Sequence, residues 1–448
     1  MFYLCVSMMF LMWLFVMSVF HSSLGQNTFL RAYSPGNIII GGLFPIHLKT
    51  NRTNTSAPLS CSDYGSKTFL HSQVMIYAIS KINLPNITIG YDIYDTCGDV
   101  GLALRATLQL LKNQSDPESC LVPADAQSKL PEPKTKVVIG ERYSEVSIAV
   151  ARIVALSSVA QISYASTSEL LSSKFKFPTF LRTVPSDKYQ TRGIIELVKI
   201  FHWKTVIIVG SDDEYGKHGS DSLQDNFNNK RICIEFVHIL SANFKTNNHS
   251  MDRTELNELL KKIQNSSAEA IIIFTKESNA EIILEAAIKH RVNRTWIASD
   301  AWSSSSKISA ISGIKLAGEV FGFIYKQKEV PGFKDHVMSM FNGTNNTILR
   351  DYQTQHLLSL NKSEEERKQY LASYIDQDES YGIYIAVRVI AEGLRRLLKC
   401  NDHRCERRSS FTALEIPSQS FSAPLQSLGS LLPLCLLFCL QYILKLPL

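Results

Sequence analysis

Residues 162–171 read ISYASTSELL, an apolar run that closes at Tyr164 and is followed by Ala165, Ser166, Thr167 and Ser168. From Glu169 the pattern turns helical, so the hydroxyls stand where a strand passes into a helix. Two kinds of chemistry suit that place. Ser and Thr cap a helix by accepting from its first free N–H groups. Together with those N–H groups they also hold an anion, because the helix dipole favours negative charge there. Three more loops carry comparable groups: Arg142-Tyr143-Ser144, the acidic turn SDDEY ending at Tyr215, and Asp300-Ala301-Trp302. A carboxylate such as Asp187 or Asp300, beside the face of Tyr215, suits an ammonium group. Hydroxyls for a carboxylate and acids for an amine would together receive a zwitterion. Each group also has a plain structural role: Ser144 and 166–168 as caps, Asp212, Asp213 and Glu214 as a solvated turn, Trp302 as core.

The elements that must position these loops alternate in period. Apolar runs of strand length occur at 37–45, 135–140, 204–210, 232–240, 268–275 and 294–299. Between them the stretches 72–82, 101–111, 147–156, 191–201, 255–263 and 280–290 show helical spacing. Strand, helix, strand predicts an α/β fold with parallel sheets covered by helices, and continuous apolar runs predict strands buried on both faces. Ligands of such sheets sit beyond the carboxyl ends of the strands, where all four polar loops fall.

The whole chain sets the frame. Its 448 residues are enough for two or three domains, and 45% hydrophobic with 20% charged residues is an ordinary globular composition. A net charge of +6 without a long Lys/Arg block argues against nucleic acid as a partner. No GxSxG, HExxH, GxGxxG or GxxxxGK[ST] motif is present, which weighs against hydrolase, zinc-protease and nucleotide-dependent enzymes.

The first 25 residues form an apolar segment, with Ser23 and Gly25 fitting a signal-peptidase site before Gln26. Without a basic start, an uncleaved anchor is the alternative. Sequons at Asn51, Asn54, Asn86, Asn113, Asn248, Asn265, Asn293, Asn342, Asn345 and Asn361 agree with a secretory route. Cys61, Cys97, Cys120, Cys233, Cys400 and Cys405 then become disulfide candidates, with no zinc-like spacing and fifteen pairings open.

The segments QISYASTSELLS (161–172), FPTFLRTVPSDKYQ (177–190), HWKTVIIVGSDDEYG (202–216) and TWIASDAWSSSS (295–306) resemble the Venus flytrap module of family C G-protein-coupled receptors. Within that family they are most similar to the amino-acid- and calcium-sensing branch and to vomeronasal and fish olfactory receptors. The resemblance spans roughly residues 28–405. It implies a bilobed, periplasmic-binding-protein-like fold: a signal peptide 1–25, lobe I from 26–185, lobe II from 186–323, a return segment 324–408 and a divergent tail 409–448. FLRTVPSD and DDEYG favour family C over the flytraps of glutamate-gated channels or natriuretic-type receptors.

The resemblance also implies roles. Ser144 and Thr167 would hold a ligand carboxylate with backbone help from Ala165 and Ser166. Asp187 near the hinge would meet the ammonium, Tyr215 would pack over it, and Asp300 would tune ligand preference. The implied ligand is an L-amino acid. The acids Asp212, Asp213 and Asp300 make a basic side chain a fitting guest, and as hard oxygen donors they also fit Ca²⁺.

Cys61 and Cys97 match a pair that closes a first-lobe loop, and Cys400 and Cys405 a short late bridge. Cys120 falls where relatives bridge two protomers, and Cys233 where they join a downstream cysteine-rich domain. A homodimer or heterodimer with another family C receptor is implied, on the extracellular side of the plasma membrane or secreted, with a G protein as partner only of a full-length receptor.

After Arg408 the resemblance stops. The expectation is a chain without the seven-helix transducer, acting as a secreted ligand trap or a dominant-negative partner. Its end, LLPLCLLFCLQYILKLPL, reads as an unrelated terminus, as an anchor shorter than the roughly 20 apolar residues of a span, or as a lipid-anchor signal.

Overall fold

The computed structural model describes residues 30–52, 59–112, 132–228, 230, 232–241, 250–325, 328–341, 346–406, 411, 415 and 443–445. Strands β1 (Arg31–Ser34), β2 (Ile38–Phe44), β5 (Ile89–Asp95), β6 (Thr135–Ile139), β7 (Ala160–Ser163) and β8 (Phe180–Arg182) form one sheet in the order β1-β5-β2-β6-β7-β8. Only β1 runs antiparallel to its neighbour. Beside it β3 (His47–Asn51) and β4 (Ser60–Tyr64) make a small antiparallel pair.

The second sheet has the order β10-β9-β11-β12-β13-β14, from β9 (Thr205–Ser211), β10 (Cys233–Leu240), β11 (Ala270–Phe274), β12 (Arg294–Ala298), β13 (Gly318–Phe323) and β14 (Ile443–Lys445). It is parallel except for β14 at its edge. Two mainly parallel sheets covered by helices make this the α/β, bilobed architecture of the periplasmic-binding-protein-like class.

The central strands explain themselves. Every residue of β2, IIIGGLF, and of β11, AIIIF, is buried. Such runs bury both faces only when helices cover both, so the sheet must be a middle layer. In the second lobe Ile207, Val209, Ile271 and Ile273 face one core with Trp296 and Trp302. Their neighbours Ile208, Ile272 and Ile297 face the other core with Leu223 and Phe227. This is the period-2 alternation of a strand with two apolar sides.

The chain returns to the first lobe after β13. Phe333, Tyr352, Ile383, Val387 and Ile390, from helices between residues 333 and 397, pack with Phe44, Phe69, Ile93, Ile139 and Ile162 in one core. The longest helix, Glu379–Leu397, lies against the helix Ser66–Ser80.

The helical stretch expected from Glu169 is corrected by the structure. It is a single 3-10 turn, Glu169–Ser172, leading into β8. Apolar anchors are sparse there (Leu171 and Phe177), and Pro178 biases the residue before it away from helix.

Among the described residues there are two disulfides, Cys61–Cys97 and Cys400–Cys405, and Cys233 is an exposed free thiol. Cys120 lies outside the described residues. Of the sequon asparagines, Asn51, Asn86, Asn265, Asn293 and Asn361 are described and all are exposed. Asn54, Asn113, Asn248, Asn342 and Asn345 lie outside the described residues, as do 1–25 and most of the C-terminal tail.

Candidate functional site

The two lobes face each other across a cleft of about 460 Å³. Its wall includes Ser144, Ala165 and Thr167 from the first lobe and Tyr215, Asp300 and Ala301 from the second. All four polar loops contribute at least one residue to it.

Ser144 opens the helix Ser144–Leu156, directly beyond β6. Its Oγ accepts from Ser168 N–H at 3.3 Å, which ties the two carboxyl-end loops together. The 165–168 loop is fixed from behind. Ser166 is fully buried, and its hydroxyl reaches Ser147 Oγ (2.7 Å) and the carbonyls of Glu141 (3.1 Å) and Arg142 (3.2 Å). Arg182 donates to the carbonyls of Thr167 (2.9 Å) and Ser168 (3.0 Å) from below. Ser166 therefore shapes the loop, and its side chain is not on the cleft wall. Glu141, buried beneath, is pushed up to about 7 by that burial, opposed by hydrogen bonds from Thr96 and Tyr143 N–H.

On the hinge side Asp187 starts the helix Asp187–Ile200, and its N–H donates to Thr167 O at 2.9 Å. Its side chain is buried, with Gln190 Nε2 at 3.2 Å from Oδ1 and no hydrogen-bond partner at Oδ2. Gln190 links it to Asp300 by donating to Oδ1 at 2.6 Å and accepting Asp300 N–H at 2.7 Å. Tyr215 and Tyr325 donate their hydroxyls to the same Asp300 carboxylate, at 2.6 and 2.5 Å. Burial, and then the neighbouring Asp300 charge, raises the Asp187 carboxyl well above the usual carboxylate range. Burial and Asp300 also raise both tyrosines, which keeps them as donors. Two neighbouring acids, only partly offset by the charge of Arg182, leave room for a further cation.

The acidic turn divides. Asp212 pairs with Lys217 at the surface, and Glu214 bonds His218 at 2.9 Å on the same helix. Asp213 alone turns inward and caps the N–H groups of Tyr215 (3.0 Å) and Gly216 (2.8 Å). Asp212 and Asp300 are thus not one acidic cluster. Trp302 is core, its indole donating to Ile273 O at 3.0 Å.

A second set of charges on the first-lobe wall was, apart from Arg142, not singled out from sequence. Arg142 grips Glu379 with two bonds of 2.7 and 2.8 Å, and Lys67 reaches the same carboxylate at 3.0 Å. His71, fully buried, bonds Asp376 at 2.6 Å. Burial alone would raise Glu379, but Arg142, Lys67 and His71 hold it below the usual range. Asp378 is pushed up to about 7, by burial against the attraction of Lys67. The group Asp376, Asp378 and Glu379 opens the longest helix in a segment with no strand signal, so only its charge density marked it.

A bilobed α/β module with polar strand-end loops around an interlobe cleft, stapled by disulfides, is a ligand-binding ectodomain. The model of the family "Receptor family ligand binding region" matches residues 70–422, and the chain belongs to that family, in the branch of the family C G-protein-coupled receptors. The chain is 35% identical over 322 residues to the human "G-protein coupled receptor family C group 6 member A", covering 70% of this chain and 34% of that protein. To the human "Extracellular calcium-sensing receptor" it is 35% identical over 316 residues, 68% of this chain and 29% of the receptor. The human "Taste receptor type 1 member 1" is 29% identical over 392 residues, 83% of this chain and 45% of the receptor. The chain thus aligns with about a third to under half the length of these receptors. It is a receptor ligand-binding domain and not an enzyme, and its setting is extracellular or secretory. Among the described residues no helix is long and apolar enough to cross a membrane.

Proposed function

We propose that the cleft binds an L-amino acid and that binding draws the two lobes together. The observation that carries this is the pairing of opposite chemistries across a short span. Ser144, Thr167 and the free N–H groups of the helix Ser144–Leu156 offer donors for a carboxylate. Asp187, bonded through its backbone to Thr167 and set behind the cleft wall, has a buried oxygen without a hydrogen-bond partner that an ammonium would reach past Tyr215 and Asp300. A ligand touching both lobes binds the closed arrangement better, and that difference drives closure.

Carboxylates outnumber cations on the cleft wall, with Glu277 and Glu281 at the second-lobe rim, so a basic side chain is the favoured guest. Asp300 contributes charge to that preference, but its oxygens already hold three donors. Ca²⁺ would act as a modulator through the same acids. In a receptor of full length, closure would be passed through paired protomers to transducing helices and a G protein.

Thermal unfolding of the secreted protein against the common L-amino acids and Ca²⁺ tests the reading. A ligand of the folded form raises the melting temperature with concentration. The shift is expected with amino acids, largest for basic ones, and lost in D187N and S144A. No shift from any amino acid would reject it.

A further inference from the structure

We infer that Lys276 couples carboxylate binding to lobe closure by neutralising Glu145 only when the lobes meet. The inference rests on the proposed seat for a ligand carboxylate at the start of the helix Ser144–Leu156. Glu145 is the second residue of that helix, next to Ser144, and it lines the same cleft. A carboxylate there places one negative charge beside another, which opposes the helix dipole that would attract the ligand.

The second lobe supplies the remedy. Lys276, just before the helix Glu277–Lys289, reaches across to Glu145 Oε1 at 2.5 Å and lies over the Tyr143 ring, 4.9 Å from its centroid. This ion pair joins the two lobes. The other oxygen of Glu145 is buried and has no hydrogen-bond partner. Within its own lobe Lys276 keeps a second carboxylate, Asp213, at 3.7 Å. Opening the cleft would leave Lys276 with Asp213 and leave Glu145 uncompensated next to the ligand's seat. Closing it brings the cation back.

Closure therefore raises affinity for an anion at Ser144, and an anion at Ser144 favours closure by the same factor. Lys276 is a positioning residue in this scheme, acting on the ligand through Glu145.

The test measures amino-acid affinity by titration and lobe closure by small-angle scattering for the full secreted chain. The set is wild type, K276M, E145Q and E145Q/K276M. In K276M, affinity is expected to fall about tenfold and the ligand-induced contraction to shrink. Adding E145Q to K276M removes the repulsion and is expected to restore affinity to within about threefold of wild type, without restoring the contraction. Loss of packing alone would not be rescued in that way.

K276M that binds and contracts like wild type overturns the inference while leaving the amino-acid reading intact. So does a double variant no tighter than K276M. Should K276M not fold, E145Q alone decides: unchanged coupling between ligand and contraction refutes the inference. A wild type that binds no amino acid overturns both.

Discussion

At the residue scale the cleft is governed by which acids carry their charge. Asp187 is buried beside Asp300, and its carboxyl is raised well above the usual range by burial first and Asp300 second. A raised carboxyl holds its proton in the folded state, so it disfavours folding as pH rises above the ordinary Asp pKa. An ammonium arriving at its free oxygen reverses that preference and expels the proton. Binding should release a proton, and affinity should fall as pH is lowered. Calorimetric titration in buffers of different ionisation enthalpy reads the proton count directly. D187N should lose roughly ten- to a hundredfold in affinity, the worth of one charged hydrogen bond, yet melt higher than wild type at neutral pH. A variant that is weaker in both respects would contradict this account.

The Arg142–Glu379 pair makes the opposite case. Glu379 is held low, so its stabilisation is full above the ordinary Glu pKa and is lost as pH falls below it. Asp378, pushed up to about 7, works the other way and weakens the fold as pH rises from the ordinary Asp pKa towards 7. R142M leaves a partly buried carboxylate with Lys67 as its main cation and should cost about 2 kcal/mol in denaturant unfolding. The loss should shrink in acid, where wild type surrenders the same interaction.

At the scale of elements, the close approach of helix to strand sets the position of Tyr215. A Cβ on Gly216 would stand 2.5 Å from the backbone N and O of Ser211 at the end of β9. The helix Glu214–Asn228 can lie this near only with glycine there. Alanine is the better helix former in isolation, but G216A must lift the first turn and move Tyr215 off Asp300. Unfolding should show a loss of about 1–3 kcal/mol, with a weaker ligand shift.

Such turns also explain what was legible in sequence. The strand expectations at 135–140, 204–210 and 268–275 match β6, β9 and β11 closely because runs buried on both faces are unbroken. The helix expectations begin late: 72–82 for Ser66–Ser80, 147–156 for Ser144–Leu156, 191–201 for Asp187–Ile200. Apolar spacing cannot see a first turn made of polar residues. Those first turns hold Lys67, Ser144, Glu145 and Asp187, so the periodicity failed where the cleft is built. β5, broken by Asp92 and Asp95, escaped for a related reason, whereas the helix Glu379–Leu397 carries a regular apolar stripe (Ile383, Val387, Ile390, Leu394, Leu397) that was legible and was passed over. Ser144, Thr167, Asp187, Tyr215 and Asp300 were candidates from their loops and received their roles through the resemblance, whereas Lys276 and Glu379 carry their meaning through partners more than a hundred residues away.

For the whole molecule, the separation of the cores has a thermodynamic consequence. The first lobe packs its own cluster around Phe44, Phe69 and Tyr352, and the second lobe its own around Ile271, Ile273 and Trp296. Each is a candidate cooperative unit, since contacts within a core far outnumber those across a cleft. Both described disulfides lie on the first lobe: Cys61–Cys97 ties β4 to the loop after β5, and Cys400–Cys405 closes the turn after the longest helix. The first of these spans 36 residues and should contribute about 3–4 kcal/mol by limiting the unfolded chain. Calorimetry should therefore resolve two transitions, and mild reduction should lower one of them while leaving the other in place. A ligand bound across the cleft belongs to both units and should raise both transitions and draw them together. A single transition moved as a whole by reduction would mean that the cleft couples the lobes as tightly as a core does. Closure would then be a small adjustment within one unit rather than the meeting of two.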